Sequence, residues 1–223
     1  SHELPMNRDA DVSPAGAAKI IADFLEALDL SHVTLVGNDS GGALCQMVAA
    51  HHPERIGRLV LTNCDAYDNF PPKGFRWLAK AAHVPGFTFE MAQPMRLKSF
   101  RNGPLAFGHV AKHGLDQEIL ASWVRPAIRS RGVRRDIGKL LRGLKPEHTL
   151  AAAIKLQRFD RPALIAWSPD DKLFPMRYAE RLAADLPNAR LVRITDSWAF
   201  VPEDQPGKLI DAIKQFMLET AAA

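Results

Sequence analysis

Cysteine is scarce in this chain: Cys45 and Cys64 are the only two among 223 residues. Two thiols cannot staple a secreted disulfide framework, and they lack metal-ligand spacing. Both are expected as buried free thiols in a reducing, cytoplasmic setting. Tyrosine is equally rare, with Tyr67 and Tyr178 alone. No apolar run approaches the roughly 20 residues that a membrane-spanning helix needs. The polar opening Ser1-His2-Glu3-Leu4-Pro5 carries no signal-peptide pattern. Phosphate-cradling glycine motifs and His/Cys metal constellations are missing, so neither a cofactor nor a metal is expected.

What is present is ordinary globular usage, 47% hydrophobic and 24% charged, which is ample for one α/β domain with an insertion. The net charge of +4 is unevenly spread. Between Pro71 and Asp160 there are 17 Lys/Arg against 6 Asp/Glu, a balance of +11, and the remainder carries −7. Such asymmetry points to two structural parts.

Ser13 followed by Pro14 reads as a helix start, and Ile20, Ile21, Phe24, Leu25 and Leu28 recur at helical spacing. Val33–Val36 reads as a buried strand stopped by Gly37, residues 41–51 as a helix, and Leu59–Thr62 as the next strand. After Pro71 the strand signal is lost for almost ninety residues. The spacing predicts basic helices over 74–83, 104–113, 116–129, 132–143 and 147–157. The alternation resumes with a strand over Ala163–Trp167, a helix near 176–186, a strand over Ala189–Thr195 and a helix over 206–219. This predicts a mostly parallel α/β sheet flanked by helices, with a core of 1–70 and 161–223 and an all-helical cap over 71–160.

The chemistry concentrates in Gly37-Asn38-Asp39-Ser40-Gly41-Gly42, between a strand and a helix. A nucleophile elbow is a strained turn with small residues two positions either side of the nucleophile. Centring on Asp39 places Gly37 and Gly41 at those positions, whereas centring on Ser40 places Asn38 and Gly42 there. Asn is the poorer fit, which favours Asp39. The alternative is a plain helix N-cap at Asp39 with glycines serving the turn.

Val33–Gly42 resembles the elbow of the α/β-hydrolase fold, in the aspartate-nucleophile branch of haloalkane dehalogenases and epoxide hydrolases. His52-Pro53-Glu54-Arg55-Ile56 resembles the segment after that family's elbow helix, and Trp167-Ser168-Pro169-Asp170-Asp171 its acid loop. The resemblance implies Asp39 as nucleophile, Asp171 as orienting acid and the Ser40 N–H as half of an oxyanion hole.

Two departures follow. Trp198-Ala199-Phe200 occupies the family's histidine segment, so the histidine position is Ala199, which cannot move a proton. The N-terminal strands and their oxyanion loop have no counterpart, leaving Val33–Val36 as an apolar sheet edge. The reading therefore expects a core truncated at its N-terminus, with a missing segment or self-association along that edge.

Ser40 stands where dehalogenases of this kind usually carry a halide-binding Trp. Neither tyrosine lies in the cap, where epoxide hydrolases place theirs. Asp65, just after the second strand, lies where some relatives of that family place an alternative acid, and it reads here as a loop carboxylate. The histidines His51, His52, His83, His109, His113 and His148 read as structural. Arg129, Arg131, Arg134, Arg135, Lys139 and Arg142 read as a solvated face, with no nucleic-acid partner implied. The expected activity is hydrolysis of a small apolar ester, epoxide or related compound, impaired by Ala199. The alternative is a ligand- or partner-binding protein of the same fold.

Overall fold

The computed structural model describes residues 2–221. Ser13 caps α1 (Pro14–Ala27) by accepting the Gly16 N–H, with Pro14 pre-set for the first turn. β1 (Val33–Asp39) leads directly into α2 (Ser40–His51), and β2 (Ile56–Cys64) follows. Six helices then come without a strand: α3 (Arg76–Ala81), α4 (Phe87–Ala92), α5 (Lys98–Arg101), α6 (Gln117–Arg129), α7 (Arg131–Arg142) and α8 (Pro146–Leu156). The alternation returns with β3 (Ala163–Trp167), α9 (Met176–Asp185), β4 (Ala189–Arg193), α10 (Val201–Asp204) and α11 (Pro206–Glu219). No helix among the described residues is long and apolar enough to cross a membrane.

The four strands form one parallel sheet in the order β1-β2-β3-β4. Parity explains its burial. Leu59, Leu61, Ala163, Ile165 and Trp167 face one side, packed with residues of α1, α2, α8 and α9. Val60, Leu164 and Ala166 face the other, against Leu209 and Phe216 of α11. Strands buried on both faces read as continuous apolar runs, as β2 and β3 do. Each buried Leu, Ile or Val contributes about 1.5–3 kcal/mol.

β1 differs because it lies at the sheet edge, beyond the reach of α11. Val33 and Leu35 pack into the larger core, while Val36 on the opposite face is 48% exposed. The apolar stripe of α1 behaves similarly. Leu25 is buried, but Ile20, Phe24 and Leu28 face outward, because α1 packs chiefly against α2.

The segment 104–113 is a series of turns rather than a helix. The Phe107 and Gly108 N–H groups bond back to the Arg101 and Gly103 carbonyls, and those of Lys112 and His113 donate to the Asp204 carboxylate. A Cβ at Gly108 would lie 2.3 Å from the Asn102 carbonyl oxygen. These side-chain and long-range bonds outweigh a local helical pattern. The first residues strap across α7: Met6 N–H donates to Asp136, and Lys139 donates to the Arg8 and Ala10 carbonyls.

Three glycines of the β1–α2 turn have unequal steric demands. A Cβ on Gly42 would meet Cys64 Cβ at 2.3 Å, and one on Gly37 would meet Cys45 Sγ and Gly42 Cα at 2.7 Å, whereas one on Gly41 meets nothing within 4 Å. In urea titrations, Gly42→Ala and Gly37→Ala are expected to lose about 1–3 kcal/mol. Gly41→Ala is expected to be neutral or to gain up to about 1 kcal/mol through lower unfolded-state entropy.

Candidate active site

Asp39 ends β1 and caps α2 with φ 53° and ψ −135°. A non-glycine residue held there costs about 1–3 kcal/mol, and such strain collects at functional sites. The surroundings impose it. Gly37 lets β1 approach Cys45 and Gly42, and Gly42 lets α2 start against Cys64. Asp39 is registered opposite Cys64, and the Asp65 N–H donates to the Asp39 carbonyl at 3.3 Å. The positive φ falls on Asp39, not on Ser40, which begins the helix.

The Asp39 carboxylate oxygen Oδ1 accepts from the Ser40 N–H at 2.5 Å and from the Ser40 hydroxyl at 2.9 Å. The Ser40 N–H expected to serve an oxyanion is thus turned onto the neighbouring carboxylate. Burial pushes the Asp39 carboxyl above its ordinary range, against the opposing pull of those two donors.

Asp171 lies in the loop after β3. Its Oδ2 accepts from Asn63 Nδ2 at 2.8 Å, and its Oδ1 from the Leu173 N–H at 2.9 Å. Burial again raises its pKa, and the Asp39 charge adds to the rise. Asn63 also accepts the Ser168 N–H at 2.6 Å and donates to the Ser168 carbonyl, clamping the ends of β2 and β3 together. Asn38 donates to the Ala199 carbonyl at 2.8 Å and to the Asn63 carbonyl at 3.1 Å. Neither asparagine was singled out by sequence reasoning. The available signal was position: both sit at the carboxyl ends of parallel strands, where such sheets place their ligands.

Ala199 is fully buried, tied to the elbow through Asn38. Its loop is set by the Asp204 carboxylate, which accepts from the Trp198 N–H and the Ser197 hydroxyl as well as from residues 112 and 113. The Phe200 N–H donates to the Val110 carbonyl, and Trp123 of α6 lies edge-on to Phe200 with Phe107 beside it. Phe107 is the cap phenylalanine that takes this place. Trp77 and Phe89 are half-exposed, and Phe89 lies under the Arg134 guanidinium.

Four of the histidines have other settings. His51, His52 and His148 line a groove of about 550 Å³ at the C-terminal end of α2, the opposite end from Asp39. The His113 ring contacts Asp196. Both tyrosine hydroxyls are engaged, Tyr67 with Asp185 and Tyr178 with Asp68.

Asp65 is the residue whose setting sequence reasoning missed. Far from being a solvated loop carboxylate, it is 1% exposed, and its Oδ1 is buried without a hydrogen-bond partner. Burial raises its pKa well above the usual range, the Asp39 charge adds to that, and the Ser40 hydroxyl pulls the other way. Cys45 and Cys64 are free and buried. Burial pushes the Cys45 thiol up to about 12 and Cys64 well up, so neither is a ready nucleophile. Among the described residues, no three His, Cys, Asp or Glu side chains converge as metal ligands.

Comparison with known proteins agrees with this fold. The family model described as the alpha/beta hydrolase fold matches residues 5–206. The chain is 26% identical over 204 residues to the uncharacterized hydrolase YugF of Bacillus subtilis (strain 168), covering 90% of this chain and 70% of that one. It is 25% identical over 212 residues to haloalkane dehalogenase 2 of Mycobacterium tuberculosis (strain CDC 1551 / Oshkosh), covering 88% and 68%. A thermophilic esterase from Thermogutta terrifontis superposes with a TM-score of 0.70 at 17% identity, covering 97% of this chain and 75% of that one. Measured against the curated relatives it matches, the chain spans as little as 61% of their length. The match over most of the sequence, on a parallel sheet whose first strand ends in a strained turn, makes the chain a member of the α/β-hydrolase fold family.

Proposed function

We propose that this α/β-hydrolase-fold enzyme acts on a small apolar ester, epoxide or related compound through Asp39. The observation that carries the reading is the positive φ of Asp39 at the strand-to-helix turn, a conformation with no reason to persist at a simple N-cap. In this reading Asp39 attacks an epoxide carbon and becomes esterified as the ring C–O bond breaks, or attacks an ester carbonyl and forms a mixed anhydride as the alcohol leaves, and Asp171 supports the site from β3. The Ser40 N–H swings from Asp39 to the developing oxyanion once the carboxylate is spent in the ester. The core is 1–70 and 161–223, with 71–160 as a helical cap. Within that cap, α8 rests on α2, and α6 approaches the Ala199 loop through Trp123. Ser40 in place of a halide-binding Trp disfavours dehalogenation.

Ala199 limits the second half of the reaction. Where the family's histidine would activate water, a methyl group stands, and the hydrogen-bond donors to the Asp39 carboxylate are those of Ser40. This supports slow turnover. The same observation favours a second reading, a protein that binds a ligand between core and cap without chemistry.

Incubation with p-nitrophenyl butyrate and with styrene oxide, followed by product assay and intact-mass measurement, separates these readings. Slow turnover or a single adduct on Asp39, abolished in Asp39→Asn, is expected. Stoichiometric binding with neither outcome would favour the binding protein. Ala199→His is expected to raise turnover by about 10²–10⁴-fold, the usual worth of a positioned acid–base group.

Asp39→Asn should also change stability. The folded state holds the Asp39 proton more tightly than the unfolded chain, so wild-type stability declines as pH rises above the unfolded value of 3.8. The variant should be about 1–2 kcal/mol more stable than wild type at pH 7. That advantage should disappear in acid below 3.8, where both states of the wild type are protonated. Chemical denaturation at the two pH values checks the sign.

A further inference from the structure

The strap of residues 5–10 across α7 brings a fourth arginine to a groove that already holds three. Gly132 makes the approach possible, since a Cβ there would lie 2.5 Å from Pro5 Cβ. Met6 is fixed on both sides, its N–H donating to the Asp136 carboxylate at 2.8 Å and its carbonyl accepting from Arg135. Lys139 donates to the Arg8 and Ala10 carbonyls, each at 2.8 Å. These bonds hold the strap by its backbone and leave the Arg8 side chain uncommitted.

The resulting groove has a volume of about 920 Å³ and is lined by Arg8, Phe89, Arg131, Arg134 and Arg135 among smaller residues. Among the described residues, no Asp or Glu lines it. Asp136 of α7 is buried, and its oxygens are taken by Arg135, the Met6 N–H and the His2 ring. Four positive charges against that one negative charge leave a balance of +3.

The four guanidiniums have different commitments. Arg135 is spent on Asp136 and Met6. One nitrogen of Arg134 donates to the Ala127 and Ile128 carbonyls, and its central carbon lies 5.2 Å over the Phe89 ring centre. Arg8 and Arg131 are exposed, and neither guanidinium has a partner among the described residues. Phe89 stays 46% exposed. The expected solvated face therefore divides. Lys139 and Arg142 donate to carbonyls, whereas Arg8 and Arg131 keep their donors for something outside the chain.

We propose that this groove binds a phosphate monoester carried on a flat apolar or aromatic group. Arg8 from the strap and Arg131 from α7 hold the phosphate, and Phe89 takes the flat group. Planar guanidinium forks match phosphate oxygens bidentately, and a dianion with three acceptor oxygens suits this charge balance better than one carboxylate does. None of the lining residues belongs to the elbow or to the Ala199 loop, so the site stands independently of the chemistry at Asp39.

Calorimetric titration of the full chain with phenyl phosphate, inorganic phosphate and phenol tests this. Phenyl phosphate should bind about 10-fold more tightly than inorganic phosphate through the ring contact, and phenol alone should not register. Rising salt should weaken both phosphates. Arg8→Glu and Arg131→Glu should each weaken phenyl phosphate by about 10-fold or more. Phe89→Ala should remove the preference for phenyl phosphate over inorganic phosphate. Arg125→Glu makes the same charge change at an exposed position of α6 outside the groove, and should alter affinity by less than about 2-fold. No binding of either phosphate would overturn the proposal, as would equal affinity for the two. So would an Arg125→Glu loss as large as that of Arg131→Glu, the mark of a general attraction between anions and a basic surface.

Discussion

The close approach of α2 to the ends of β1 and β2 is the constraint from which the rest of the site follows. It exists because Gly37 and Gly42 lack side chains and because Cys45 and Cys64 are small enough to fill what remains. With α2 pressed so near, the chain has no room for a relaxed connection, and Asp39 is forced into a left-handed conformation. That conformation delivers the carboxylate to the first N–H of a helix. Substituting the contacting glycines would therefore alter chemistry and packing together, since one contact governs both.

The same compression gathers acidic groups without a counterion. Asp39, Asp65 and Asp171 each have raised pKa values, with burial as the leading cause in every case and Asp39 acting on both others. A fold selected only for stability would place amides or apolar groups here, as it has done at Asn38 and Asn63. The two asparagines supply neutral donors that tie the strand ends to the Ala199 and Asp171 loops. The architecture therefore separates its duties. Amides hold the geometry, and the buried carboxyl groups bring the titratable charge.

Much of this was legible in the residues because it depended on local patterns. Strand runs such as Leu59–Thr62 and Ala163–Trp167 are apolar on both faces, and the Ser13-Pro14 cap and the Pro206 helix start are short-range signals. The Asp39 turn was readable from its glycines, although Gly42 rather than Gly41 is the second tightly packed position. What could not be read depends on distant chain. Residues 104–113 look helical in isolation, yet their N–H groups are drawn to Asp204, some ninety residues later. The burial of Asp65 follows from how α2 covers the end of β2, which no spacing within 60–70 encodes. The outward turn of Ile20, Phe24 and Leu28 follows from the position of α1 beside an edge strand, a property of the sheet rather than of the helix.

That edge position has a consequence for motion. β1 shares a ladder with β2 alone, whereas β2 and β3 are bonded on both sides. Strain at Asp39 is therefore carried by a strand with half the lateral hydrogen bonding of its neighbours, and chiefly by the grip of α2. Local opening in such a fold begins where backbone bonds are fewest. The strand that carries the elbow is thus held less by its own ladder than the β2–β3 platform beneath Asn63 and Asp171.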